Sequence, residues 1–188
     1  MSMRVLKLAG LAGALALLPA IAGAQDARAI SFGVMGGLSL PMGDLADGVE
    51  SGYNITGSVY LPMAGKLKLR GDVGYESFAG KGSNSVAGFD FNVLSVTGNV
   101  IFPLGMERAE GGIRPYLIGG GGLYRGTTKL NVVGLSSSQS SNDLGISVGG
   151  GFEFKLSGFT TFAEARFVNV FGDGNSSNWI PITFGLRF

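Results

Sequence analysis

Eight charged side chains hold most of the chemistry this sequence could perform: Lys68, Arg70, Asp72, Glu76, Glu153, Glu164, Arg166 and Arg187. Each lies where apolar and polar residues alternate, and a period of two puts all eight on the polar faces of β-strands. Lys68, Arg70 and Asp72 interleave with Leu67, Leu69, Gly71 and Val73, and Glu164 and Arg166 with Ala163, Ala165 and Phe167. Four of the eight are basic and four acidic, and charges withdrawn from water must be paired. The set therefore reads as an ion-pair network enclosed by strands. The functional alternative is an ion path gated by rearranging those pairs. Asp72 with Glu76 has the makings of an acid–base pair, but the surrounding basic residues favour a structural ion pair.

Enzymatic readings weaken on composition. The chain has no His and no Cys, which removes Ser-His-Asp and Cys-His nucleophiles, histidine proton shuttles and most transition-metal sites. Gly119–Gly122 is followed by Leu123-Tyr124-Arg125 and not by a helix, so it lacks the context of a phosphate-cradling loop. The Asp/Asn/Gly stretch 171–178 lacks EF-hand spacing. No cofactor, metal or catalytic residue is expected.

Among the elements that must position these charges, Trp179–Phe188 alternates almost without fault. Ile180, Ile182, Phe184, Leu186 and Phe188 share one face, and Trp179, Pro181, Thr183, Gly185 and Arg187 share the other. The same period predicts strands over 29–40, 52–61, 67–78, 89–102, 113–125, 143–154 and 159–170, which makes eight. Apolar faces include Ile30, Phe32, Val34, Leu38 and Leu40 in the first, and Leu144, Ile146, Val148, Phe152 and Phe154 in the sixth. In the fourth strand Phe89–Asn92 runs out of phase with Leu94–Phe102, which predicts a bulge or a segment above the membrane. In the fifth, Tyr116 and Tyr124 share a face and are expected outward, at two aromatic girdles, with Leu117 and Leu123 inward. Long polar connections (41–51, 79–88, 126–142, 171–178) alternate with turns (62–66, 103–112, 155–158). That alternation, with apolar faces of nine to eleven residues in several strands, matches membrane-crossing strands.

Composition agrees. The 34 Gly among 188 residues far exceed the usual ~7%. A charged fraction of 14% is low beside the ordinary ~25%, so the surface is not a conventional water-facing one. Arg4 and Lys7 precede an apolar run over Leu8–Ile21, and Ala22-Gly23-Ala24 supplies a small-x-small cleavage pattern. Residues 1–24 are thus expected to be a secretory signal peptide, with the mature barrel domain spanning 25–188 from Gln25. Their removal leaves 12 basic and 13 acidic groups, a formal charge of −1, and no basic patch for nucleic acid.

The leader, Arg114-Pro115-Tyr116 running into Gly119–Gly122, Phe162–Arg166, and Trp179 through Phe188 together resemble the outer-membrane β-barrel family. That family includes the transmembrane domain of outer-membrane protein A and its small eight-stranded relatives. The resemblance implies an all-β, eight-stranded antiparallel transmembrane barrel in the cell outer membrane, surrounded by lipid, with a filled lumen and no catalytic residue. It implies assembly by periplasmic chaperones and the barrel-insertion machinery, with Ile182, Phe184, Leu186 and Phe188 as the C-terminal assembly signal. The expected role is envelope structure, or contacts with an extracellular ligand at loops 79–88 and 126–142. Two other readings stand beside it: a narrow porin-like channel, and a secreted soluble barrel with inverted faces that binds a small apolar ligand.

Overall fold

The computed structural model describes residues 30–63, 66–82, 87–104, 112–132, 135–172 and 176–188. The leader and its cleavage site at Ala22, Ala24 and Gln25 lie outside the described residues. Eight strands pair in sequence order, each antiparallel to the next, and β1 closes on β8. They are β1 Ser31–Met42, β2 Gly52–Pro62, β3 Lys68–Ala79, β4 Ala87–Pro103, β5 Ile113–Val132, β6 Leu135–Leu156, β7 Phe159–Phe171 and β8 Ser176–Arg187. Closure leaves the barrel itself with no unpaired edge, so the backbone groups of its wall bond to neighbouring strands.

The polarity of the wall is the reverse of a water-soluble barrel's. Leu38, Val73, Val96, Ile146 and Phe184 point outward and are exposed by 60%, 57%, 57%, 55% and 66%. Arg70, Asp72, Asn99, Glu153 and Glu164 point inward and are buried. A soluble barrel holding an apolar ligand would require the opposite, so that alternative is overturned.

Four sequence expectations change. β4 pairs with β3 in one unbroken register, from Lys68↔Ile101 to Ala79↔Asp90, so there is no bulge. Phe89, Phe91 and Val93 keep the inward parity of Ser95, Thr97 and Asn99. The apparent phase shift is a change in what fills the barrel, polar in the middle and apolar near one mouth. In β5, Tyr116 and Tyr124 are buried inside, while Leu117 and Leu123 are exposed by 52% and 60%. The four glycines between them carry no polarity of their own, so neither phase was marked locally.

The described residues of 126–142, namely 126–132 and 135–142, are strand and not loop. β5 and β6 continue their ladder to Val132↔Leu135, and a Thr127–Ser140 hydroxyl pair 3.0 Å apart bridges the strands. Polar Ser- and Thr-rich strands give no apolar alternation to read. Finally, 41–51 holds the end of β1 and a one-turn helix, α1 (Asp44–Gly48). In the other connections, 64–65, 83–86, 105–111 and 173–175 lie outside the described residues.

The mouth opposite the chain termini is stoppered by an apolar cluster. Trp179, Phe78, Val93, Tyr124, Val168 and Val170 meet there with Val49, and Leu45, Phe89 and Phe91 pack against them. Leu45 and Val49 come from α1 and its end, so the β1–β2 connection folds over the mouth. It is tied down by Glu50 N–H to Ala79 O (2.8 Å) and Lys81 N–H to Gly48 O (2.9 Å). Trp179 meets Phe78 and Tyr124 edge-on at ring separations of 6.2 and 5.9 Å. Replacing Trp179 with Ala should therefore destabilise the refolded barrel by about 3–5 kcal/mol, read as a lowered urea midpoint in detergent. An unchanged midpoint would mean that the stopper is not a packed core.

Candidate functional site: the charged lumen

Strand parity brings the inward charges together, and ring position decides which of them meet. β3 and β7 stand four strands apart in the closed ring of eight and therefore face each other across the bore. Arg70 reaches over from β3 and donates two parallel hydrogen bonds to Glu164 on β7: Nη1 to Oε2 at 2.9 Å and Nη2 to Oε1 at 2.8 Å. Its Nε lies 3.0 Å from Asp72 Oδ1 on its own strand. Arg166 makes the reciprocal crossing. Its Nη1 is 3.3 Å from Asp72 Oδ2, and its Nε is 3.1 Å from Glu164 Oε1. Two arginines and two carboxylates thus form a closed square across the bore.

Neutral groups complete it. Tyr116 O–H donates to Glu164 Oε2 at 2.7 Å, Ser58 O–H to Asp72 Oδ1 at 2.6 Å, and Asn99 Nδ2 to Asp72 Oδ2 at 3.0 Å. Arg70 and Glu164 side chains are fully buried. An ion pair so placed stabilises only if its geometry is good and its remaining hydrogen-bonding positions are filled; Tyr116 and Arg166 do this for the Glu164 carboxylate, and Ser58 and Asn99 for Asp72.

Toward the termini a second cluster gathers around Glu153. Lys68 Nζ (3.3 Å), Arg187 Nη1 (3.1 Å) and Arg114 Nη1 (3.7 Å) converge on that one carboxylate. Tyr60 lies between the two clusters, with Arg70 and Arg187 at 5.7 and 5.2 Å from its ring centroid, within the range of a cation–π contact. Glu76 stands apart from both. It accepts from Ser39 O–H at 3.0 Å, and Ser39 in turn accepts from Asn54 Nδ2 at 3.1 Å. Asp72 and Glu76 are thus held by different partners and do not form an acid–base couple.

The eight sequence-predicted charges all lie inside the barrel. Seven of them form two connected clusters, and Glu76 joins a neutral hydroxyl–amide pair. Sequence reasoning left out Arg114, Tyr60 and Tyr116. Each shares the parity of its strand's inward residues, a signal blurred in β5 by the glycines. Those glycines make room for the network and its wall. A Cβ on Gly120 would collide with Gly98 O and Asn99 Oδ1, and one on Gly122 with Val96 O. On β6 a Cβ at Gly151 would lie 2.7 Å from the Tyr116 ring.

No protein-family model matches the chain, and no curated protein matches it. Solved structures do. Neisserial surface protein A superposes with a TM-score of 0.57 at 16% identity, covering 84% of this chain and 95% of that one. The attachment invasion locus protein Ail of Yersinia pestis gives 0.55 at 20% identity, covering 85% and 97%. A major outer membrane protein from Thermus thermophilus gives 0.59 at 13% identity, covering 86% and 99%. The fold is that of the small outer-membrane barrels. At these identities the likeness extends to architecture alone.

Removing Arg70 strands two buried carboxylates. Arg70→Met should destabilise the refolded barrel by about 3–5 kcal/mol, and adding Glu164→Gln should recover part of that loss. Urea unfolding of the two single variants and the double variant measures the coupling, and strictly additive losses would show that the pair is not an energetic unit.

Proposed function

We propose that this protein is an integral outer-membrane barrel without enzymatic activity, its lumen closed by its own side chains. It contributes envelope structure or surface contacts through the connections at the end away from its termini. One observation carries the reading: the outward-facing residues from Leu94 to Phe102, Ile113 to Leu123 and Ile180 to Phe188 include no charged side chain, while the charges are gathered inside. Such a surface suits hydrocarbon and not water. Above it, outward-facing Asp90, Asn92, Arg125, Asn142, Asn169 and Asn178 form a polar rim, as expected where a bilayer's headgroups begin. Residues 1–24 act in this reading as a cleaved export signal, with Ala22 and Ala24 before the cut and Gln25 after it. Ile182, Phe184, Leu186 and Phe188 present the assembly signal to the insertion machinery, after escort by periplasmic chaperones.

A filled bore supports a non-conducting barrel over a channel. An eight-stranded barrel is just wide enough for side chains to fill, and here the cross-bore square and the aromatic stopper occupy successive levels. The mature protein, residues 25–188, should stay silent in planar bilayers once folding is verified. Discrete, reproducible conductance steps would overturn the closed-lumen reading and make the Arg70–Glu164 crossing the first gate to test. The membrane reading has its own check. Val96→Lys should cost about 2–4 kcal/mol of stability in phospholipid vesicles, whereas a water-facing position would tolerate lysine.

A further inference from the structure

Of the four acids among the eight lumen charges, three are neutralised and one is not. Asp72, Glu153 and Glu164 each pair with two or more basic side chains. Glu76 pairs with none among the described residues. Arg166, whose field reaches it, is committed to Asp72 and Glu164. Glu76 accepts from Ser39 O–H at 3.0 Å, and the buried Trp179 indole N–H lies beside the same carboxylate without completing a hydrogen bond. Neutral donors alone do not balance a charge withdrawn from bulk water.

The same place holds an acceptor with no donor. Asn54 stands directly opposite Glu76 in the β2–β3 ladder, so their side chains leave the wall about 5 Å apart. Asn54 donates from Nδ2 to Ser39 Oγ at 3.1 Å, while its Oδ1 is buried and has no partner. There is also room. Phe78, the next inward residue toward the mouth, is fully buried, and Ser39, Asn54 and Trp179 are buried beside it. Glu76 is only half-buried. The surface that it keeps opens into the bore beneath the aromatic stopper.

We infer that the Glu76 carboxylate, Asn54 Oδ1 and Ser39 Oγ form a site for one small monovalent metal cation, with Na⁺ as its type. All three donors are hard oxygens, which suit alkali and alkaline-earth ions and not soft metals. A single carboxylate balances a single charge. Ca²⁺ takes roughly 6–8 oxygens, several of them from carboxylates, and would add an unbalanced charge near Arg166. The Trp179 N–H is left to hold a water of the ion's shell. No motif marks the site in the sequence, because its oxygens come from β1, β2 and β3 and meet only in the paired sheet. The inference goes beyond the membrane reading and does not rest on it, so detergent-folded protein tests it alone.

The test folds the barrel in NaCl or in N-methylglucamine chloride at equal ionic strength, the organic cation being the bulky control. Na⁺ should raise the urea midpoint saturably. Above half-saturation the unfolding constant should fall about tenfold for each tenfold rise in Na⁺. Equilibrium dialysis with radiolabelled Na⁺ should find one ion per folded chain. Glu76→Gln keeps the side chain's shape, removes its charge and can donate to Asn54. This variant should bind no ion and unfold at the same urea concentration in both salts, no earlier than the unsubstituted protein in N-methylglucamine. A midpoint of the unsubstituted protein that is indifferent to the salt, or dialysis without bound Na⁺, would overturn the inference. So would an equal Na⁺ effect in Glu76→Gln, since the ion would then act elsewhere. If the midpoint ignores Na⁺ and falls as pH rises through neutrality, a proton occupies Glu76 in place of a metal ion, and the inference fails as well.

Discussion

The bidentate Arg70–Glu164 crossing is the interaction on which the rest of the barrel's interior is arranged. It joins opposite walls at a level where both side chains are fully buried. A guanidinium there is tolerable only if each donor finds an acceptor, and each carboxylate it meets must be satisfied in turn. Arg166 and Asp72 close the square, Tyr116, Ser58 and Asn99 fill the remaining positions, and Tyr60 offers its ring face to Arg70. The glycines of β5 and β6 follow from the same need. A Cβ on Gly120, Gly149 or Gly151 would run into neighbouring backbone carbonyls and into the side chains of Asn99 on β4, Arg166 on β7 and Tyr116 on β5.

The lumen is therefore filled by two physically different means. Near the middle and the terminal end, charges neutralise one another. Near the other mouth, aromatic and branched side chains exclude water, with Leu45 and Val49 of the β1–β2 connection pressed onto them. The order suits a chain whose exterior is apolar. On the proposed membrane reading, lipid contributes little to holding the strands in a ring beyond their backbone ladders, so the interior contacts supply the rigidity that a soluble protein draws from its hydrophobic core. Beyond the apolar belt the constraint lapses. Strands there can end at different heights, and β6 outruns β7 by nine residues.

Two readings of the sequence, and the bulge offered as one of two options for the fourth strand, failed for one reason: alternation reports burial only where the two faces differ in polarity. In the fourth strand both Phe91 and Thr97 point inward, since the filling changes from apolar to polar along the bore. In the fifth, four consecutive glycines separate Tyr116 from Tyr124 and say nothing about parity. Over 137–142 Ser, Gln and Asn fill both faces, so a paired strand looks like a loop. Where one face was apolar and the other charged, as over Lys68–Glu76 or Ile180–Phe188, the phase was read correctly.

The sequence by itself determined the strand count, the order of elements, the polarity of most strand faces and the identity of eight inward charges. Each of these is a local property, because a period of two needs only neighbouring residues. Only the tertiary structure decided that Arg70 meets Glu164 while Glu76 meets Ser39, that Glu153 collects three cations, and that Tyr116 belongs to the network. Those pairings join residues as far as 94 positions apart. They depend on where two strands stand around a closed ring and how their registers accumulate, which is fixed only when β1 closes on β8.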